Sequence, residues 1–174
     1  MIPTKAELKQ KSVVQTQYEE KRALLREAFV AGLDMMADIF SSYSAPAEPK
    51  MEKGLQEFAK VCKLSREVPL QKMYDSAGRF SIAVSLGNSV NQATNGRQEE
   101  LCGFAFVAGA QTLSIKFVGD LNKTPESAPF PKVRAVHRES ALRCFDRLSS
   151  GSSDLEAILK SVRDICPNEI SETY

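Results

Sequence analysis

The residue types best suited to chemistry in this chain are one histidine and four cysteines, and their spacing argues against most of the reactions they could support. His137 and Cys144 could form a base–nucleophile pair, but they lie seven positions apart in a segment that reads as helix. At 1.5 Å of rise per residue that is about 10 Å along the axis, beyond hydrogen-bond reach. Cys62, Cys102, Cys144 and Cys166 contain no CxxC pair, which argues against a zinc site or a redox motif. Cys62 and Cys144 fall among apolar neighbours, where a reduced thiol packs as a small hydrophobe. No glycine-rich segment carries the phosphate-loop spacing with its Lys-Ser/Thr, and no acidic cluster has metal-ligand spacing. The expectation is a non-enzymatic protein with no metal site and no cofactor.

Composition sets the frame. The chain has 174 residues, 43% hydrophobic and 26% charged, with a net charge of +1, the balance of a folded globular protein with no global field directed at nucleic acid or membrane. Charge is uneven, however. Positions 50–149 carry 15 Lys and Arg against 10 Asp and Glu, while 1–49 carry 6 against 7 and 150–174 carry 2 against 5. No apolar run resembles a signal peptide or reaches transmembrane length. An intracellular location, cytoplasmic or nuclear, and no membrane partner are expected.

The elements that would position these residues follow from periodicity. Thr4-Lys5-Ala6-Glu7 fits a capping box. A long helix to about Ser41 then places Tyr18, Leu25, Phe29, Leu33, Met36 and Phe40 on one face. The second half of this broad stripe is expected to be buried against the chain's own domain or a second copy, and the stripe is a candidate interaction face for a second copy or a protein partner. The prolines of "SSYSAPAEPK" break the chain over 43–50, and a second helix is expected over Met51–Leu64. In "RFSIAVSLG", Phe80, Ile82, Val84 and Leu86 alternate with small residues, the period of a strand. "LCGFAFVAGA" and "TLSIKFVGDL" read as two more strands joined by a hairpin at Gly109-Ala110-Gln111. After a proline-rich loop from Asn122 to Pro131, helices are expected over Val133–Ser149 and Ser153–Cys166. The resulting fold class is α+β: an α-β-β-β-α module with a three-stranded antiparallel sheet, plus a long N-terminal helix and a short C-terminal helix. The corresponding division is 1–42 helix, 43–50 linker, 51–151 module and 152–174 helix and tail.

Gly103-Phe104-Ala105-Phe106-Val107 resembles the strand of an RNA-recognition motif whose aromatic rings stack on bases. Cys102 and Gly109 occupy slots that want a basic and an aromatic residue, and the following segment alternates where that motif has a helix. Phe104 and Phe106 are therefore expected to point together into the core.

A second resemblance covers residues 51–149. "LQEFAKVCK" is similar to the first helix of the double-stranded-RNA-binding domain, "GRFSIAVSLG" to its first strand, and "SALRCFDRL" to the AAxxALxxL pattern of its last helix. The resemblance implies shape-based contact with A-form duplex. It assigns Glu57 to the first-helix contact face, Asn91, Asn95 and Arg97 to the loop after the first strand, and Lys132, Arg134, His137 and Arg138 to the basic start of the last helix. Val133 stands in the first lysine slot, and members of this family that lost the lysines serve as dimerisation or partner-docking modules. Two functions stay open on this reading: a protein-interaction or dimerisation module, and binding of double-stranded RNA.

Overall fold

A computed structural model of the chain describes residues 2, 4–40, 47–70, 82–123, 130–150 and 154–170. Within the helices it describes side chains except at 7–12, 14, 40, 82–84, 114–123, 130–137 and 167–170. The described residues form six helices: α1 (Lys5–Phe40), α2 (Glu48–Val61), α3 (Ile82–Ala93), α4 (Arg97–Lys123), α5 (Phe130–Ser149) and α6 (Leu155–Ile170). No strand occurs among them. The expected α+β fold with a three-stranded antiparallel sheet is thus corrected to an all-α fold.

The correction has a physical cause in each segment. In α3 the buried residues are Ser85, Leu86, Ser89, Val90 and Ala93, the steps of a helical face, in which the adjacent pair Ser85 and Leu86 breaks the alternation expected of a strand. Helix α4 lies at the centre, packing against α1, α3, α5 and α6. Between Cys102 and Leu113 it buries Cys102, Gly103, Ala105, Phe106, Ala108, Gly109, Ala110, Thr112 and Leu113. A helix covered on nearly every side has no polar stripe, so its sequence reads as a continuous apolar run. The step of two between Phe104 and Phe106, which keeps rings together on a strand, separates them by about 200° on a helix. Phe106 is 0% exposed and Phe104 is 38% exposed, so the expectation that both rings point inward is corrected for Phe104.

The most extensive helix pair is α1 with α4, and glycine makes that crossing close. A Cβ on Gly32 would overlap the backbone carbonyl of Phe106, and one on Gly109 would overlap the carbonyl of Phe29. Each helix therefore lays a bare backbone against the other's main chain. Gly109, expected at a hairpin, is instead a contact point in mid-helix.

Helix ends follow recognisable capping rules. Pro49, expected as a breaker, sits in the first turn of α2, where its missing N–H has no partner to lose. Lys63 (φ 52°) closes α2 in the left-handed region. Leu64 N–H donates to Ala59 O and Lys63 N–H to Lys60 O, the paired bonds of a Schellman cap. The Asn95-Gly96 turn signal holds, but it joins α3 to α4. Gly96 takes a positive φ of 152°, and Glu99 reaches back to accept the Asn95 N–H at 2.8 Å. Asp154, next to the expected capping residue Ser153, accepts the N–H groups of Glu156 and Ala157 at the start of α6. Helix α6 runs through Pro167 to Ile170, beyond the expected stop at Cys166.

One buried cluster draws on all six helices: Leu25, Phe29, Leu33 and Met36 from α1, Leu55 and Phe58 from α2, Leu86 and Val90 from α3, Phe106 from α4, Phe145 from α5, and Leu159 and Val162 from α6, among others. Phe29 and Phe145 tilt together at 5.1 Å, and Phe58 stacks on Phe106 at 4.7 Å. The N-terminal helix, expected to stand outside the module, is a core element. At the surface Arg26 forks onto Asp146 at 2.8 and 3.1 Å, and Arg22 donates to Ser149 at 2.8 Å, tying α1 to the end of α5. The hydrogen bond to Asp146 raises the Arg26 pKa further above its ordinary value, helped by the carboxylate charge and opposed by partial burial. No helix among the described residues is long and apolar enough to cross a membrane.

Candidate functional site

A surface concavity runs between α4 and α6. On α4, Arg97, Glu100, Leu101 and Phe104 follow the i, i+3, i+4, i+7 pattern of one helix face; on α6, Glu156, Leu159, Lys160 and Arg163 repeat the same spacing. The two stripes run parallel and in register. Arg97 pairs with Glu156 at 3.2 Å, and seven residues further along each helix the Arg163 guanidinium carbon lies 5.5 Å from the centre of the Phe104 ring, a cation–π contact. Between these two contacts lies a groove of about 530 Å³, with apolar Leu101, Leu159 and Phe104 inside and charges of both signs around it. The partly bare ring of Phe104 is its most exposed apolar member.

The N-terminal ends of both helices are held independently of the groove. Gly96 and Glu99 fix the start of α4, and Asp154 fixes the start of α6. Their inner faces are locked by Phe106 and Val162, both buried, and buried Leu159 forms the groove floor. The groove walls are thus rigid elements whose outward residues are set by core packing behind them.

The described side chains among the residues assigned by the double-stranded-RNA resemblance do not converge. Glu57 lies exposed on α2 beside Lys60, at 3.3 Å. Asn91 is exposed on α3, Asn95 is exposed in the α3–α4 turn, and Arg97 opens α4. Arg138, on α5, pairs with Asp34 of α1 at 3.0 Å. Lys132, Arg134 and His137 belong to α5, but their side chains lie outside the described residues. Of the proposed α1 face, Leu25, Phe29, Leu33 and Met36 are buried in the chain's own core and Tyr18 is half-buried, its hydroxyl donating to Ser149 O at 3.4 Å. The side chain of Phe40 lies outside the described residues. The stripe read as a partner surface is accordingly a core face of this chain. Among the described side chains of the set, only Arg97 lines the α4/α6 groove.

Sequence reasoning missed the groove because its α4 wall was read as strand. The α6 spacing 156, 159, 160, 163 was available, but without a helical α4 it had no counterpart.

The cysteines, spread through the sequence, are brought together in pairs. Cys62 and Cys102 share a thiol hydrogen bond. Donating that bond pushes the Cys62 pKa up, reinforced by burial and by the negative charge of a Cys102 thiolate and of Glu99. Accepting the bond holds Cys102 below the ordinary thiol value, against burial and Glu99. Cys144 and Cys166 lie 2.6 Å apart, sulfur to sulfur. No group of three or more His, Cys, Asp or Glu side chains among the described residues is arranged to hold a metal ion.

Compared with known proteins, the chain matches no family model, no curated protein and no solved structure.

Proposed function

We propose that this chain is a non-enzymatic protein-interaction module whose docking surface is the α4/α6 groove and whose occupant is a second copy of the chain. The observation that carries this reading is Phe104, a large ring 38% exposed at one end of the groove between two parallel helices. An apolar centre ringed by polar and charged side chains is the anatomy of a protein interface, and an aromatic residue with an arginine over it is a common anchor. The choice of a second copy rests on charge. Arg97, Lys160 and Arg163 lie beside Glu100 and Glu156 on one patch, so a copy rotated onto it can offset cations with carboxylates. A two-fold interface requires this self-complementarity.

Sedimentation velocity over a range of concentrations tests it, with wild type and Phe104→Glu in parallel. Position 104 is a surface position, so the substitution leaves helical circular dichroism unchanged. Wild type is expected to shift from monomer towards dimer as concentration rises, and Phe104→Glu to stay monomeric. A wild type that is monomeric throughout, or a variant that dimerises as well as wild type, overturns the proposal.

A further inference from the structure

Successive cysteines are 22 to 42 positions apart in sequence, yet the fold sorts them into two couples. Cys144 of α5 and Cys166 of α6 are 3% and 0% exposed, and their sulfurs lie 2.6 Å apart. This is much closer than two unbonded sulfurs normally approach, and about half an ångström more than the bond length of roughly 2.05 Å. The second couple is set by register. Phe58 stacks on Phe106 at 4.7 Å; Cys62 and Cys102 each stand four positions from one of these rings, and the two thiols act on each other by hydrogen bond and charge.

We propose that these couples are two disulfide-forming sites, Cys62–Cys102 and Cys144–Cys166, one joining α2 to α4 and the other α5 to α6. The oxidant is a low-molecular-weight disulfide such as oxidised glutathione. One cysteine thiolate attacks it, forming a mixed disulfide and releasing one thiolate of the reagent. The partner cysteine then attacks the protein sulfur of that mixed disulfide and releases the second. For each couple, two protein sulfurs are oxidised by two electrons together, the reagent's S–S bond is reduced, and the two thiol protons end on two reagent thiols. Cys62 is half-buried, so its couple is the one open to the reagent in the folded protein. The sulfurs of the other couple are covered, so reagent reaches them during folding or when the end of α6 opens.

The shared S–H···S bond at Cys62 and Cys102 adds support. It keeps buried Cys102 more readily ionised than an ordinary thiol, so once the accessible Cys62 carries the mixed disulfide, the Cys102 thiolate is the partner that attacks it.

The test refolds the full-length wild-type chain from denaturant in a glutathione redox buffer, blocks remaining thiols with an alkylating reagent, and maps linked peptides by mass spectrometry without reduction. Four cysteines allow three pairings. Oxidation in denaturant should give a mixture of them, whereas the refolded chain should give the 62–102 and 144–166 pairing alone and no alkylated cysteine. Absence of either linkage, a 62–144, 62–166, 102–144 or 102–166 linkage in the refolded chain, or four alkylated thiols overturns the proposal. Wild-type chain suffices, so no variant need fold for the result to be decisive.

Discussion

Replacing Gly109 by Ala should destabilise this protein, although helix propensity alone says the opposite. In an exposed helix interior the change gains about 1 kcal/mol. Here the added methyl would overlap the Phe29 carbonyl oxygen and lie 3.0 Å from its carbon and 3.2 Å from Leu33 N. All three are main-chain atoms of α1 and cannot swing aside. The two helices must part by on the order of 1 Å to restore ordinary contact, which also loosens Phe29, Leu33 and Phe106, all buried at the crossing. Overpacking of this kind costs roughly 1–3 kcal/mol, and the lost packing adds to it, so a net loss of about 2 kcal/mol is expected. For a chain of this size that lowers the melting temperature by about 4–8 °C. Gly87→Ala is the matched control: it lies in the middle of α3 with nothing near its absent Cβ, so the same substitution should stabilise by about 0.5–1 kcal/mol. Thermal and urea unfolding followed by helical circular dichroism read both. If Gly109→Ala raises stability as Gly87→Ala does, the close α1–α4 crossing is wrong.

Three further outcomes follow from the packing. Phe106→Ala removes a fully buried ring stacked on Phe58 and should cost about 3–5 kcal/mol in urea unfolding; a loss below 1 kcal/mol would place that ring outside the core. Arg26→Ala breaks a forked ion pair whose partners are each 42% exposed, so it should cost no more than about 1 kcal/mol. The difference should shrink in high salt, and a large, salt-independent loss would contradict a surface pair. A Cys144–Cys166 bond joins residues 22 apart, and on the chain-entropy account it should add about 3 kcal/mol to stability. That gain would appear as a higher melting temperature in the oxidised protein, abolished by reductant; equal stability of the two forms would contradict it.

How much of this was legible in the sequence differs by segment, for physical reasons. The stripe through Leu25, Phe29, Leu33 and Met36 identified a long helix with one apolar face, because α1 has solvent on its other side and its period shows. The Asn95-Gly96 turn was legible because a positive φ is a local demand that glycine meets whatever the turn connects. Helix α4 was not, because burial around nearly its whole circumference erased the period that would have marked it. Alternation at Ile82, Val84 and Leu86 misled because a few residues cannot separate a step of two from one of 3.6. The α4/α6 groove vanished with α4, since Phe104 beside Phe106 reads as one inward pair on a strand and as opposite faces on a helix. The cysteine couples had no sequence signature, because helix packing across long separations creates them.

If the α4/α6 groove is the dimer surface, Phe104 faces a second copy across it. Incorporating a photo-crosslinking phenylalanine analogue at position 104, irradiating the purified protein and mapping the adduct would test that directly. The expected product is a covalent dimer whose adduct joins position 104 to α4 or α6 residues lining the groove of the other copy. Irradiated protein that remains entirely monomeric, or adducts scattered over unrelated surfaces, would contradict it.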